Sequence, residues 1–128
     1  MTDPIADFLS RIRNAARAHK NLVTAPASRV KWESAKILER EGFLERVERS
    51  EKPVPTLQVT LRFVDREPVV RDLKRISKPG RRLYVAWKDI PLVQSGFGCA
   101  IVSTSQGIMT GDDACRRRLG GEFIAEIS

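Results

Sequence analysis

The stretch from residue 98 to residue 110 most constrains how this chain of 128 residues can fold. Its apolar run, residues 99–102, is typical of a buried strand, and it ends in a polar corner rich in hydroxyl groups, residues 103–106. Thr110 then predicts the start of a short helix, with Asp113 at the third position of a capping box. The pattern therefore predicts a small polar surface, called here the hydroxyl corner (residues 103–106), held at the tip of a buried strand.

Two amphipathic helices are predicted in the first half of the chain. Asp3 and Pro4 favour a helix start, as N-cap and first helical residue. Ser28 predicts the cap of a second helix that runs to about Glu41, and Gly42 ends it. The residues expected to face the core are Ile5, Phe8, Leu9, Ile12 and Ala16 in the first helix, and Val30, Ile37 and Leu38 in the second.

The remaining patterns predict short strands and an α+β fold of two small subdomains. Strands are expected at residues 22–25, 43–48, 56–64, 69–76, 83–85 and 122–127, and a helical turn at residues 89–93. The N-terminal half, residues 1–64, is then helix-strand-helix-strand-strand. The polar segment 65–68 is expected to be a linker, and residues 69–128 a mostly β C-terminal half with a short helix.

The charge balance predicts a polyanionic partner. The chain carries 23 Lys and Arg against 16 Asp and Glu, a net charge of +7. The basic excess is spread over both halves, which favours a folded domain with a basic surface that binds nucleic acid. No apolar stretch approaches the length of a membrane span, and the N-terminus lacks the apolar core of a signal peptide.

Catalytic and metal-binding constellations are not expected. Cys99 and Cys115 are too few and too far apart for a zinc site, and His19 is the chain's one histidine. We expect no metal, no cofactor, no small-molecule substrate and no enzymatic activity. A hydrolase with Ser103 or Ser105 as nucleophile stays open as an alternative, although no neighbouring base supports it. A DNA-binding module is a second alternative.

Four surfaces could contact nucleic acid, and each has a simpler explanation. One is the cluster Arg116-Arg117-Arg118, which either contacts RNA or is surface charge that suits the helix dipole. Arg11, Arg13, Asn14 and Arg17 lie off the apolar stripe of the first helix, on a face that is either a solvated surface or a phosphate contact. The basic run 71–82 leads to Tyr84, which either stacks on a base or packs in the core. The hydroxyl corner can hydrogen-bond ribose 2′-OH groups or be an ordinary polar turn. The candidate residues of the run are Lys78, Arg81 and Arg82.

Several motifs in one order resemble the bacterial small-subunit ribosomal protein S-eight family. The motifs are Asp3-Pro4-Ile5-Ala6-Asp7, Arg11-Ile12-Arg13-Asn14, Glu41-Gly42-Phe43, Ser77-Lys78-Pro79-Gly80, Ser103-Thr104-Ser105-x-Gly107-Ile108-Met109-Thr110 and Gly120-Gly121-Glu122. The chain differs at Gly111-Asp112-Asp113, where the family usually has an acidic-basic-acidic run, and at Cys115, where a basic residue is common.

The resemblance implies a protein that binds the central domain of small-subunit ribosomal RNA directly and early in assembly. It places the main contacts on the hydroxyl corner of the C-terminal half and separate contacts on the N-terminal half. The implied contacts are Ser103, Thr104, Ser105, Glu122 and Tyr84 on the former, and Pro4, Arg13 and Asn14 on the latter. Gln106 is a further candidate because of the polar chemistry of the corner.

The resemblance also implies partners and a location. The expected protein neighbours are the small-subunit proteins S five and S twelve, and the expected location is the cytoplasmic ribosome of a bacterium, an organellar ribosome being the alternative. The alternative function is binding of another structured RNA or of messenger RNA, including repression of its own operon.

Overall fold

The computed structural model describes residues 4–91 and 98–128. The chain divides into two compact units, one of residues 5–71 and one of residues 72–128 together with Pro4. Both combine helix with antiparallel sheet, which confirms the predicted α+β fold of two subdomains. Asp3, the predicted N-cap of the first helix, lies outside the described residues.

The first unit is a three-stranded antiparallel sheet with two helices. The sheet order is β1-β3-β2, and a two-stranded hairpin of β4 and β5 follows it. Residues 65–68, the expected linker, form the turn and second strand of that hairpin. The elements are α1 (Pro4–Arg17), β1 (Leu22–Pro26), α2 (Arg29–Arg40), β2 (Leu44–Ser50), β3 (Thr56–Leu61), β4 (Phe63–Val64) and β5 (Glu67–Pro68).

The apolar faces of the two helices form as predicted, with one exception. All five stripe residues of α1 are buried, and Ser28 caps α2 by accepting the Lys31 N–H at 3.3 Å. Val30 is 39% exposed, so its predicted inward position is wrong. Lys31 is buried instead because it begins the row that faces the core, and its Nζ donates to the Pro26 carbonyl at 3.1 Å.

Two predicted strands are shorter than expected. The strand predicted at residues 56–64 is interrupted at Arg62, whose carbonyl accepts the Val69 N–H at 2.9 Å. Only Leu73–Arg75 of the strand predicted at residues 69–76 is a strand.

The second unit is a five-stranded antiparallel sheet with a short helix. Its order is β6-β10-β8-β9, and β7 also pairs with β10. The predicted helical turn lies at Trp87–Asp89, slightly earlier than expected, and residues 92–93 lie outside the described residues. The elements are β6 (Leu73–Arg75), β7 (Tyr84–Val85), β8 (Cys99–Thr104), β9 (Gly107–Thr110), α3 (Gly111–Arg116) and β10 (Gly121–Ile127).

The core of the second unit lies between the central strands and α3. Ile101 and Val102 on β8 and Ile127 on β10 are almost completely buried, as is Ala114 on α3. These side chains anchor β8 and β10, so the ends of the two strands are held firmly where they reach the surface. None of the helices in the described ranges is both long enough and apolar enough to cross a membrane.

Candidate nucleic-acid interface

The hydroxyl corner is the turn that joins β8 to β9. Thr104 and Gly107 face each other across this hairpin, and Ser105 and Gln106 form the exposed tip. The Thr104 Oγ1 donates to the Gly107 carbonyl at 2.8 Å and accepts the Gln106 N–H at 3.1 Å. Gly107 has a φ of 112°, a backbone conformation that favours glycine. The turn is therefore held by the Thr104 hydroxyl, while the tip remains open to solvent.

A row of side chains crosses the sheet next to the corner. On β10, Glu122 lies opposite Ser103 of β8 on one side and opposite Tyr84 of β7 on the other. Tyr84 is 68% exposed, which excludes the alternative that it packs in the core. An exposed aromatic ring, a carboxylate and a hydroxyl are thus aligned on three adjacent strands, within reach of one bound nucleotide segment.

Gly121 allows β10 to pack tightly against the corner. A Cβ atom at Gly121 would overlap the Ser103 carbonyl oxygen, which no side chain can do. Gly121 pairs with Thr104 on β8 and with Val85 on β7. A residue without a side chain is therefore required at the point where the three strands meet beside the corner.

The carboxylate of Glu122 is held by two donors. Ser77, which is fully buried, donates from its Oγ to Glu122 Oε2 at 2.5 Å, and the Arg82 guanidinium donates to the same oxygen at 2.9 Å. Burial acts to raise the pKa of Glu122, but the bonds from Ser77 and Arg82 and the positive charges of Arg82 and Arg75 outweigh it. The pKa of Glu122 therefore lies below its ordinary value, and the group is an ionised acceptor at neutral pH.

The basic turn before β7 is closed by its backbone. Lys78 and Arg81 exchange two backbone hydrogen bonds of 3.1 and 2.9 Å. The side chains of Lys78, Arg81 and Arg82 are exposed. Because Arg82 is bound to Glu122, which lies beside Ser103, this turn contributes positive charge next to the hydroxyl corner.

The candidate residues of the first half lie on α1. Pro4 is its first residue, Asn14 is exposed, and Arg13 is partly buried. The Arg13 Nε is buried and has no hydrogen-bond partner among the described residues. Arg11, in contrast, donates to Asp7 at 3.0 Å and to the Thr24 carbonyl at 2.9 Å. The Arg11 guanidinium is thus engaged within the first unit, whereas the Arg13 Nε leaves a buried donor unsatisfied.

The predicted site residues divide between the two units. The corner, Tyr84, Glu122 and the basic turn share one sheet of the second unit, whereas Arg13 and Asn14 belong to the first. Sequence reasoning missed Ser77 as a site residue. Ser77 is the first residue of a turn motif, and no local pattern indicates that its hydroxyl hydrogen-bonds a carboxylate 45 positions later in the chain.

A second basic cluster surrounds Trp87. Lys88 and Arg118 lie 5.6 and 5.9 Å from the centre of its indole ring, and Cys115 donates from Sγ to the Trp87 carbonyl at 3.3 Å. Arg116 pairs with Asp113 at 2.6 Å on the same short helix. This cluster holds α3 against the helical turn, so at least part of its charge has a structural use.

The groups that the hydrolase alternative would require are engaged elsewhere. The Nε2 of His19 lies 3.8 Å from the Glu67 carboxylate, and its ring contacts Phe63. No three histidine, cysteine, aspartate or glutamate side chains cluster as a metal site within residues 4–91 and 98–128.

Comparisons with known proteins identify the family of the chain. The family described as Ribosomal protein S8 matches residues 3–128. A small ribosomal subunit protein uS8 from Thermus thermophilus is 47% identical over 136 residues, covering 99% of each chain. Proteins of that name from Nitratidesulfovibrio vulgaris strain Miyazaki F and from Roseiflexus castenholzii are each 46% identical, covering 99% of this chain and 98% of theirs. The chain therefore belongs to the ribosomal protein S8 family.

Proposed function

We propose that this protein is a structural constituent of the small ribosomal subunit that binds the central domain of small-subunit ribosomal RNA and supports its folding. Family membership supports the ribosomal role. The row of Tyr84, Glu122 and Ser103 beside the hydroxyl corner is the observation that carries RNA binding. It combines an exposed ring, an ionised acceptor and hydroxyl groups on a sheet held by buried side chains.

The chemistry of this surface fits RNA better than duplex DNA. Small hydroxyl groups at a protruding turn can reach ribose 2′-OH groups in the wide, shallow minor groove of an RNA helix. The Tyr84 ring can stack on an unpaired base or a ribose, and the Arg82 and Lys78 side chains can neutralise phosphates. All three described α-helices carry basic residues, and Arg11, Arg29 and Arg116 on them pair with carboxylates of their own helix.

In this proposal α1 makes a second, separate set of contacts. Pro4, Arg13 and Asn14 would meet the RNA backbone, with the guanidinium charge of the partly exposed Arg13 side chain next to a phosphate. The protein acts by binding alone, without catalysis or cofactor, in the ribosome of a bacterial cytoplasm. The small-subunit proteins S five and S twelve are its proposed neighbours.

A competition experiment tests the proposal. The purified protein is titrated with a transcript of the 16S-type central domain, with an unrelated structured RNA of equal length, and with duplex DNA, all at one salt concentration. We expect the central-domain transcript to bind at least a hundredfold more tightly than either competitor, since specific sites exceed non-specific binding by about 10³ or more. Equal affinity for the two RNAs would contradict it, and tighter binding of a transcript from the protein's own operon would favour the regulatory alternative.

A further inference from the structure

We infer that Ser77 is a positioning residue of the RNA-binding surface: its buried hydroxyl fixes the Glu122 carboxylate through Oε2, so that Oε1 is presented to a hydrogen-bond donor on the RNA. The inference rests on the proposed function for its RNA step. The geometry of Ser77 itself does not depend on that function. Neither the sequence patterns nor the family match assigns a role to this side chain.

The hydroxyl of Ser77 has only one possible orientation in this network. Its Oγ accepts the Leu83 N–H at 3.0 Å, and its own N–H donates to the Phe123 carbonyl at 3.1 Å. A hydroxyl carries a single proton, and the acceptor bond to Leu83 leaves that proton to point at Glu122. Because Ser77 is fully buried, no water competes for this proton.

The two oxygens of the Glu122 carboxylate consequently have different roles. Oε2 receives both Ser77 and Arg82, whereas Oε1 accepts no hydrogen bond from the described residues. A bare carboxylate on an RNA-binding surface would repel phosphates. Here the charges of Arg82 and Arg75 offset it, so Oε1 can accept from a 2′-OH or an exocyclic amine.

The register of the strands gives this oxygen a place in the interface. Glu122 lies between Tyr84 and Ser103, so a carboxylate that rotates would disturb the middle of the row. Without the Ser77 hydroxyl, Arg82 would be the remaining side-chain donor to Glu122 among the described residues, and its side chain is 49% exposed, which weakens an ion pair. The buried hydroxyl is therefore the rigid member of the pair of donors.

The test combines two readouts on three serine variants. The variants are Ser77→Ala, Ser77→Cys, which keeps the size but weakens the donor, and the control Ser34→Ala, which removes a buried hydroxyl without a described partner. The first readout is the pKa of the Glu122 carboxyl, measured by carbon-13 NMR on the free protein. The second is a double-mutant cycle of Ser77→Ala with Glu122→Gln for binding the central-domain transcript.

We expect Ser77→Ala to raise the pKa of Glu122 and to weaken RNA binding about three- to tenfold, the range for one ordinary hydrogen bond, because Ser77 acts on the RNA through Glu122. Ser77→Cys should lie between Ser77→Ala and the wild type, and Ser34→Ala should change neither readout. In the Glu122→Gln background, Ser77→Ala should weaken binding less than twofold. If Ser77→Ala does not fold, Ser77→Cys provides the same comparison.

An unchanged pKa of Glu122 in Ser77→Ala would overturn the inference. So would a double mutant whose loss of binding free energy equals the sum of the losses in Ser77→Ala and Glu122→Gln. Failure of the wild-type protein to bind the transcript would instead overturn the proposed function. In that case the NMR measurement still decides whether Ser77 positions Glu122.

Discussion

At the scale of single residues, the hydroxyl corner separates groups that hold the turn from groups that face outward. Thr104 uses its hydroxyl within the turn, as donor to Gly107 and acceptor from Gln106. Ser105 is exposed at the tip. Adjacent residues of similar chemistry therefore have different tasks, and only the exposed one is free to change without loosening the hairpin.

Ser105→Ala should weaken binding of the central-domain transcript by about 1 kcal/mol, roughly fivefold in Kd, because one polar contact is lost while the turn stays intact. Filter binding or fluorescence anisotropy measures the change. The matched control is Ser50→Ala, which removes an exposed hydroxyl in the first unit. Equal effects of the two substitutions, or none at Ser105, would remove Ser105 from the interface.

At the scale of secondary-structure elements, β10 organises the site. It pairs with β8, β7 and β6, and Gly121 and Glu122 near its start adjoin both the corner and Tyr84. A change in how this strand packs should affect stability and binding together. The other elements of the site depend on β10 for their position.

Gly121→Ala should destabilise the protein by about 2 kcal/mol or more and abolish specific RNA binding, since its Cβ would collide with the Ser103 carbonyl. Thermal unfolding and transcript binding are measured on the same sample. Gly80→Ala is the matched control, because nothing lies within 4 Å of a Cβ at Gly80. A Gly121→Ala protein as stable as Gly80→Ala would show that β10 can shift without cost.

The contribution of the contact between α2 and β2 to stability should depend on pH. Glu39 accepts from the Lys36 Nζ at 2.7 Å and from the Val47 N–H at 2.9 Å, and the Lys36 bond, followed by the Val47 bond, lowers its pKa below the ordinary 4.5 despite burial. A lowered pKa stabilises the folded state fully above pH 4.5, and this contribution is lost as the pH falls through the lower folded value.

Glu39→Gln should therefore reduce the loss of unfolding free energy between pH 6 and pH 3, because the variant has no carboxylate to protonate. Urea unfolding across this range measures it, with the exposed Glu45→Gln on β2 as control. If the free energy of unfolding falls equally with pH in the wild type and in Glu39→Gln, Glu39 does not contribute to the pH dependence of stability.

Local patterns in the sequence predict the elements well, and long-range contacts poorly. The α1 stripe and the Ser28 and Thr110 caps depend on neighbours three or four positions away, and the structure confirms them. The pairing of Ser77 with Glu122 joins residues that are distant in the chain. The exposure of Tyr84 depends on which strand pairs with β7, and no local pattern in the sequence indicates it. The prediction that Val30 faces the core is wrong because Lys31 begins the buried row of α2.

At the scale of the whole molecule, the net charge of +7 predicts binding that weakens with salt. Much of the positive charge is engaged, since Arg11, Arg29 and Arg116 pair with carboxylates. Arginines with unused donors should dominate the salt dependence. Total charge therefore predicts the class of partner, and individual contacts predict which side chains meet it.

Arg13→Ala should lower the slope of log K against log salt by about 0.7 to 0.9, the amount for one lost phosphate contact, because the proposal places the charge of the partly exposed Arg13 side chain next to a phosphate. Arg29→Ala, which removes an exposed arginine paired with Glu33, is the control and should leave the slope nearly unchanged. Identical slopes for Arg13→Ala and the wild type would remove Arg13 from the RNA contacts.

Amide chemical-shift mapping tests the central claim most directly. Nitrogen-15-labelled protein is titrated with the central-domain transcript, and the shift of each backbone amide is followed. We predict the largest changes at residues 103–106 and at Tyr84 and Glu122, with a second group near Arg13. Unchanged amides at residues 84, 103–106 and 122 under saturating RNA would contradict the account.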